Sequence, residues 1–264
     1  MSDPFVSRVG GVISADIAIP EHQRMQHFYA QVLTTGAKPC WRDDLMNSQG
    51  VPVIGLGAQS EEYAALPVQW MPHIQVSDVA ASVERALNMG GRELMHGKDA
   101  EGASQWAVLL DPNGTAFGLI PVVSPDLIPN VDDASAVGCI AWLDLTVSNA
   151  AATRDFYRAV IEWSVQELAM DDAGTAYADY NMCGGDNNSA AGICHARGAN
   201  VDIPATWMIY LPVGDLATSL QHVAELGGDV IKATRGTNGE YAYAIIRDPV
   251  GACIGLVPAS SDAS

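Results

Sequence analysis

The sequence predicts an α+β protein of two tandem domains, each assembled from two βαβββ units. Three observations carry that prediction. Trp70–Gly91 (WMPHIQVSDVAASVERALNMGG) recurs as Trp207–Gly228 (WMIYLPVGDLATSLQHVAELGG). Asp111–Pro121 (DPNGTAFGLIP) recurs as Asp248–Pro258 (DPVGACIGLVP) at the same offset of 137 residues, and 16 of the 52 positions from Trp70 to Pro121 are identical without an insertion. The front halves also match, HFYAQVL at His27 with DFYRAVI at Asp155 and ADIAIP at Ala15 with LDLTVS at Leu143, now at an offset of 128. Self-similarity at a fixed offset marks internal duplication. The domains are placed at 7–123 and 137–259, with the Pro-, Asp- and Ser-containing stretch 124–136 as linker. The change of offset gives the second copy nine extra residues before Trp207, expected in a long hairpin loop over the Gly/Asn-rich stretch Cys183–Gly192.

The elements of the first copy follow in order. Gly11–Ile19 reads as a strand. Glu21–Leu33 reads as a helix, because Met25, Phe28, Tyr29 and Val32 recur at helical spacing. Strands are expected around Trp41–Leu45, Val51–Gly57 and Trp70–Val76. Asp78 is placed to cap a second helix with Val79, Val83, Ala86 and Leu87 on its buried face, and Gly90-Gly91 ends it. Strands near Arg92–His96, Gln105–Leu110 and Thr115–Val122 complete the copy. Asp111-Pro112-Asn113-Gly114 between the last two suits a tight turn, proline presetting φ and glycine accepting a positive one.

Composition narrows the function. The chain has 264 residues, 48% of them hydrophobic, enough for a sizeable core. No apolar run approaches the ~18–20 residues needed to span a bilayer. The start MSDPFVSRVGGVISADIAIP lacks a basic region followed by an apolar one, so a cytoplasmic location is expected. Thirteen Lys+Arg against 31 Asp+Glu give a net charge of −18. Such a surface repels phosphate backbones and anionic membranes, and neither nucleic acid nor membrane is expected as a partner. Five widely spaced cysteines with no Cys-x-x-Cys read as idle thiols in a reducing compartment. Cys194-His195 is a weak nucleophile–base pair, since neighbours on a strand point to opposite faces.

The paired HFYAQVL/DFYRAVI helices, the Gly-Gly helix ends and the DPNGTAFGL/DPVGACIGL hairpins together resemble the vicinal oxygen chelate superfamily, which includes glyoxalase I, extradiol dioxygenases and the bleomycin and fosfomycin resistance proteins. The tandem form looks most like a two-domain bacterial group typified by the mycobacterial CFP30B-type antigen, which shares the first-strand pattern Trp142-Leu143-Asp144 and an acidic charge. The resemblance implies that each pair of βαβββ units curls into an open half-barrel cup. Metal-dependent members place His, Gln or Glu at four cup-facing positions, where a divalent ion acts as a Lewis acid. Counted on this sequence, those positions fall at Ser14, Gly55, Met71 and Gly118 in the first copy and at Trp142, Gly192, Met208 and Gly255 in the second. Methionine is a poor ligand for hard divalent ions and glycine offers no side chain. No metal ligand and no cofactor are therefore expected.

Three candidates for chemistry remain. Asp16 and Asp144 stand two residues after the lost first positions and should share the cup face. Each reads either as a polar anchor or general base, or as a structural carboxylate bonded to backbone or to Arg24, Arg154 or Arg158. His73, two residues beyond Met71, reads either as a half-buried, hydrogen-bonded histidine or as a ligand-contacting, proton-transferring one, which would make the first cup titratable. Tyr210 takes its place in the second copy. The expected ligand-binding set is Ser14, Trp41, Met71, His73, Trp106, Trp142, Met208, Tyr210 and Tyr243, a wall that suits a flat or apolar small organic molecule. The function expected is a metal-free small-molecule-binding protein, monomeric or homodimeric. The alternative is a lyase, isomerase or dioxygenase of the same superfamily with unorthodox ligands or none.

Overall fold

The computed structural model describes residues 6–128, 138–185 and 187–259, so most of the expected linker lies outside the described residues. The first copy runs β1 (Val12–Ile19), α1 (His22–Leu33), β2 (Ile54–Ala58), β3 (Met71–Val76), α2 (Val79–Asn88), β4 (Arg92–Lys98), β5 (Ser104–Leu110) and β6 (Ala116–Pro121). The second runs β7 (Trp142–Val147), α3 (Ala150–Ile161), β8 (Ser164–Asp172), β9 (Thr175–Cys183), β10 (Ser189–His195), β11 (Trp207–Val213), α4 (Leu216–Glu225), β12 (Asp229–Arg235), β13 (Tyr241–Arg247) and β14 (Cys253–Pro258). This is the α+β class the repeats predict. Among the described residues no helix is long and apolar enough to cross a membrane.

Packing gathers these elements into two compact units, each drawing on both sequence halves. The first unit holds Met71–Ile128 and Trp142–Trp207 with the stretch leading to Ile13. In it β3 pairs in parallel with β6, which continues antiparallel to β5 and β4. Likewise β7 pairs in parallel with β10, followed by antiparallel β9 and β8. The core of this unit is aromatic: Phe117, Phe156, Tyr157, Trp163 and Trp207 are each at most 2% exposed. Their rings meet mainly edge to face at 5.1–6.3 Å, the arrangement the ring quadrupole favours. The second unit holds Ser14–Trp70 and the segment from Met208. There β1 pairs in parallel with β2, and β11 pairs in parallel with β14, followed by antiparallel β13 and β12. Helix α1 buries Met25, Phe28, Tyr29, Val32 and Leu33, the stripe its spacing predicts. Ser219 of α4 is small enough for close approach to α1 and donates to the Val32 carbonyl at 2.8 Å.

The repeated punctuation has direct causes. Asp78 and Asp215 cap α2 and α4, accepting from Ala81 N at 3.0 Å and Thr218 N at 2.9 Å. The first glycine of each Gly-Gly pair adopts φ 85° or 86°. The second is confined by backbone: a Cβ at Gly91 would lie 2.9 Å from the Ala86 carbonyl oxygen, and one at Gly228 would lie 2.7 Å from that of Arg247. Gly90 and Gly91 donate to Leu87 and Ala86, closing a Schellman turn, and Gly227 and Gly228 repeat it on Ala224 and Val223.

Three expectations are corrected. Leu87 is 47% exposed rather than buried, because the α2 stripe runs through Val79, Ser82, Val83 and Ala86 and leaves Leu87 at its edge. Trp41–Leu45 is not a strand. Residues 41–52 make two isolated bridges, with Leu45 at φ 60° and the Asn47 side chain accepting from Gln49 N and Val51 N, so local turns replace a ladder. The first copy thus has six named strands, against the seven read in its sequence and the eight of two complete βαβββ units. The third correction concerns the nine extra residues, which do not make a long loop over Cys183–Gly192. β9 reaches Cys183 and β10 begins at Ser189, with Gly184 N donating to Asn188 O between them. The length goes instead into the nine-residue strands β8 and β9, joined at Ala173-Gly174, where both residues have positive φ.

Candidate functional site

The positions singled out in the sequence share one local geometry. Asp16, His73, Asp144 and Tyr210 each stand on the first strand of a βαβββ unit, and each is registered against a glycine on the adjacent parallel strand: Gly55, Gly118, Gly192 and Gly255. Each side chain lies over its glycine. A Cβ there would fall 2.1 Å from Asp16 Oδ1, 2.7 Å from His73 Cδ2, 2.2 Å from Asp144 Oδ1 and 2.3 Å from Tyr210 Cδ1. The four glycines are therefore seats for the side chains opposite.

A metal does not fit this donor set. Ser14, Met71, Trp142, Met208 and four glycines offer no imidazole, carboxylate or thiolate at the expected positions. Among the described residues, no three His, Cys, Asp or Glu side chains come together as a metal-binding group. All five cysteines are free thiols.

Within the first unit, the Trp142 indole donates to Asp144 Oδ1 at 2.8 Å. This holds the carboxylate over Gly192. Arg154 pairs with Asp155 and Glu167 and stacks on the Tyr180 ring. Arg24 bonds Glu21. His73 is half-buried, while Met71 is 4% exposed and packs in the core. Trp106, 40% exposed on β5, covers Gly97 on β4, filling the space its missing side chain leaves. In the second unit Asp16 is exposed and Ser14 half-buried on β1. Tyr210 meets Tyr243 edge to face at 6.1 Å, and the Lys232 ammonium lies 5.6 Å from the centre of the Tyr243 ring. Met208 is 1% exposed. Trp41 is buried, its indole donating to Pro212 O at 3.0 Å. The two methionines and Trp41 are thus core residues, whereas Asp16, His73, Trp106, Trp142, Asp144 and Tyr243 keep access to solvent.

Two arrangements were not anticipated. The first joins the repeated motifs. In the second unit Trp70 Nε1 donates to the Tyr29 hydroxyl at 3.2 Å, which donates to Asp248 Oδ2 at 2.9 Å. In the first unit Trp207 donates to Tyr157 at 2.9 Å, and Tyr157 to Asp111 at 3.4 Å. Each tyrosine comes from one half of the chain and its aspartate from the other. Burial pushes both tyrosine hydroxyls well above their ordinary range and raises both carboxyls; hydrogen bonds to the carboxylates oppose that rise. The other arrangement pairs His195 with Asp179, sixteen residues apart on β10 and β9. No local spacing signals it.

Comparison with known proteins accords with this geometry. Residues 13–120 match the model of the glyoxalase-like domain. The protein designated glyoxylase CFP32 of Mycobacterium tuberculosis is 24% identical over 201 residues, 73% of this chain and 70% of that protein. The anthracycline biosynthesis protein DnrV of Streptomyces peucetius is 26% identical over 165 residues, covering 62% and 57% of the two chains. Among solved structures, an extradiol ring-cleaving dioxygenase from B. fuscum matches with a TM-score of 0.55 at 13% identity, over 97% of this chain and 73% of the other. A mutant 4-hydroxymandelate synthase from Streptomyces coelicolor matches at 0.52 and 11%, over 97% and 94%. At such identities the structural likeness speaks for the fold. The glyoxalase-like match over residues 13–120 and the duplicated βαβββ units, in a fold shared with extradiol dioxygenases, agree with the resemblance of the sequence to the vicinal oxygen chelate superfamily.

Proposed function

We propose that the chain binds a small apolar or aromatic compound without a resident metal, on the strand faces that carry Asp16, His73, Asp144 and Tyr210. The carrying observation is the seating of those four side chains over glycines at positions where the superfamily's metal ligands would stand. Such positions give hydrogen-bonding groups and aromatic surface to a ligand but no hard donor set for an ion. The relative named for anthracycline biosynthesis supports a flat aromatic ligand. The test is tryptophan-fluorescence titration with an anthracycline before and after exhaustive chelation, alongside elemental analysis of the protein. Saturable binding that survives chelation is expected. Binding that vanishes on chelation and returns with a stoichiometric divalent ion would overturn the reading.

A second reading rests on the 2.8 Å bond from Trp142 to Asp144. A carboxylate oriented by an indole is suited to general-base work in a metal-independent enzyme of this superfamily. Turnover that falls sharply in Asp144→Asn while ligand affinity is retained would favour it over simple binding.

A further inference from the structure

We propose that His195, oriented by Asp179, is a proton-accepting site for a small phenol or enol whose oxyanion is received by Arg197. Asp179 is 3% exposed, and its Oδ1 lies 2.8 Å from the backbone nitrogen of His195 and 3.1 Å from its Nδ1. A buried carboxylate at Nδ1 selects the tautomer with the proton there and leaves a lone pair on Nε2. Among the described residues Nε2 has no hydrogen-bond partner, and the side chain keeps 21% exposure. Two tyrosines from β9 hold the imidazole: Tyr177 at 5.5 Å and 88°, Tyr180 at 6.3 Å and 47°.

Arg197 supplies the complementary group. Its Nε is tied to Asp172 at 3.2 Å and its guanidinium lies 4.3 Å from the Tyr177 ring centre, with 34% of the side chain exposed. Among the described residues no hydrogen bond engages its terminal N–H groups. Imidazole and guanidinium thus flank one ring, no more than about 10 Å apart. Asp179, Asp172, Tyr177, Tyr180, the neighbouring Cys194 thiol and, across Tyr180, Arg154 are the titratable and charged groups around it.

The cluster is not part of the duplicated scaffold. Gly55 corresponds to Gly192, so His195 corresponds to Ala58 and Arg197 to Ser60 in the first copy. Asp172, Tyr177 and Asp179 belong to the β8–β9 hairpin that the nine extra residues lengthen. The chain carries this group only where it departs from its own repeat. The step itself is a proton transfer: the substrate O–H proton moves to Nε2, giving an imidazolium paired with Asp179 and an oxyanion that accepts from Arg197.

The test uses 4-nitrophenol, whose ionised form absorbs visible light, on the full chain below the pKa of the free probe. Saturable binding with the phenolate spectrum is expected. Affinity should weaken about tenfold or more in His195→Gln, and Arg197→Met should keep binding but lose the phenolate signal. Near-UV circular dichroism checks that each variant is folded. Imidazole ¹⁵N NMR of the unmodified protein provides a readout needing no substitution: the His195 Nε2 resonance should move to the protonated position on probe addition. Absence of binding, a bound probe that stays neutral, or binding that survives His195→Gln would each overturn the proposal. Anthracycline binding that persists in His195→Gln separates a failure of this proposal from a failure of the binding reading.

Discussion

Replacing Tyr29 by phenylalanine should destabilise the protein more than the same change at Tyr157. Both substitutions keep the ring and its edge-to-face neighbours and remove one buried oxygen. At Tyr29 that oxygen accepts from Trp70 at 3.2 Å and donates to Asp248 Oδ2 at 2.9 Å. Its loss leaves a fully buried indole N–H without an acceptor, at about 1–3 kcal/mol, and takes from a desolvated carboxylate oxygen a donor worth about 1.5–3 kcal/mol. At Tyr157 the indole of Trp207 is orphaned in the same way. Asp111 Oδ2 loses only a 3.4 Å bond, however, and keeps the Asn113 side-chain amide at 3.1 Å. The expected losses are about 3–4 kcal/mol for Tyr29→Phe and about 1–3 kcal/mol for Tyr157→Phe. Urea unfolding followed by tryptophan fluorescence measures each, from the midpoint shift of the transition at an unchanged slope. A loss for Tyr157→Phe equal to or larger than that for Tyr29→Phe would refute the role assigned to Asn113.

Further outcomes follow from the same contacts. The Asp248 carboxyl is raised by burial, so the folded state holds its proton more tightly than the unfolded chain, and stability from this group falls as pH rises from the ordinary carboxylate range through the raised value. The deficit of Asp248→Asn relative to the parent should accordingly be greatest in acid and shrink toward neutrality, as read by urea unfolding across that range. Asp215 behaves oppositely: its bonds from Thr218 N and Thr218 Oγ1 lower its carboxyl, so the stability it contributes is present above the ordinary carboxylate range and lost as pH falls through the lowered value. Asp215→Ala should cost about 1 kcal/mol at neutral pH and less in acid, checked by thermal and urea unfolding. Gly118→Ala places a methyl 2.7 Å from His73 Cδ2 and should cost about 1–3 kcal/mol. Adding His73→Ala should recover part of that loss in a double-mutant cycle, and strict additivity would show that His73 is not seated on Gly118.

Much of the scaffold was legible because its devices are local. Asp78 caps the helix it precedes, Gly90-Gly91 closes the turn it follows, and the Met25–Phe28–Tyr29–Val32 stripe is buried as its period requires. Where reading failed, the deciding contact was distant or the local signal misleading. Leu87 fits the apolar period of α2, yet it is left at the edge of the stripe. The Gly/Asn-rich stretch after Cys183 resembles a long loop, yet strand pairing runs up to it from both sides and the added length sits in β8 and β9. For the candidate site, alternation along a strand singled out Asp16, His73, Asp144 and Tyr210. It did not show that Gly55, Gly118, Gly192 and Gly255 are the seats of those same side chains, because that depends on register between residues 39 to 48 positions apart. The His195–Asp179 pair likewise depends on the register of β9 against β10, which composition does not encode.

The motifs that recur in both halves and the residues that differ between the repeats have separate physical jobs. Phe-Tyr, Trp-Met and DP-x-G meet inside each unit as a Trp–Tyr–Asp chain of hydrogen bonds, with every member buried. A buried polar chain is tolerable only when all its members are satisfied, so each residue constrains the others. That explains why the same three motifs stand in both halves, and why they report architecture rather than chemistry. The seats over glycine impose no such mutual demand. A glycine leaves room for a carboxylate, an imidazole or a phenol, and the chain uses Asp, His, Asp and Tyr at its four equivalent seats. Chemistry on this fold can therefore change by substitution at a seat without disturbing the buried chain.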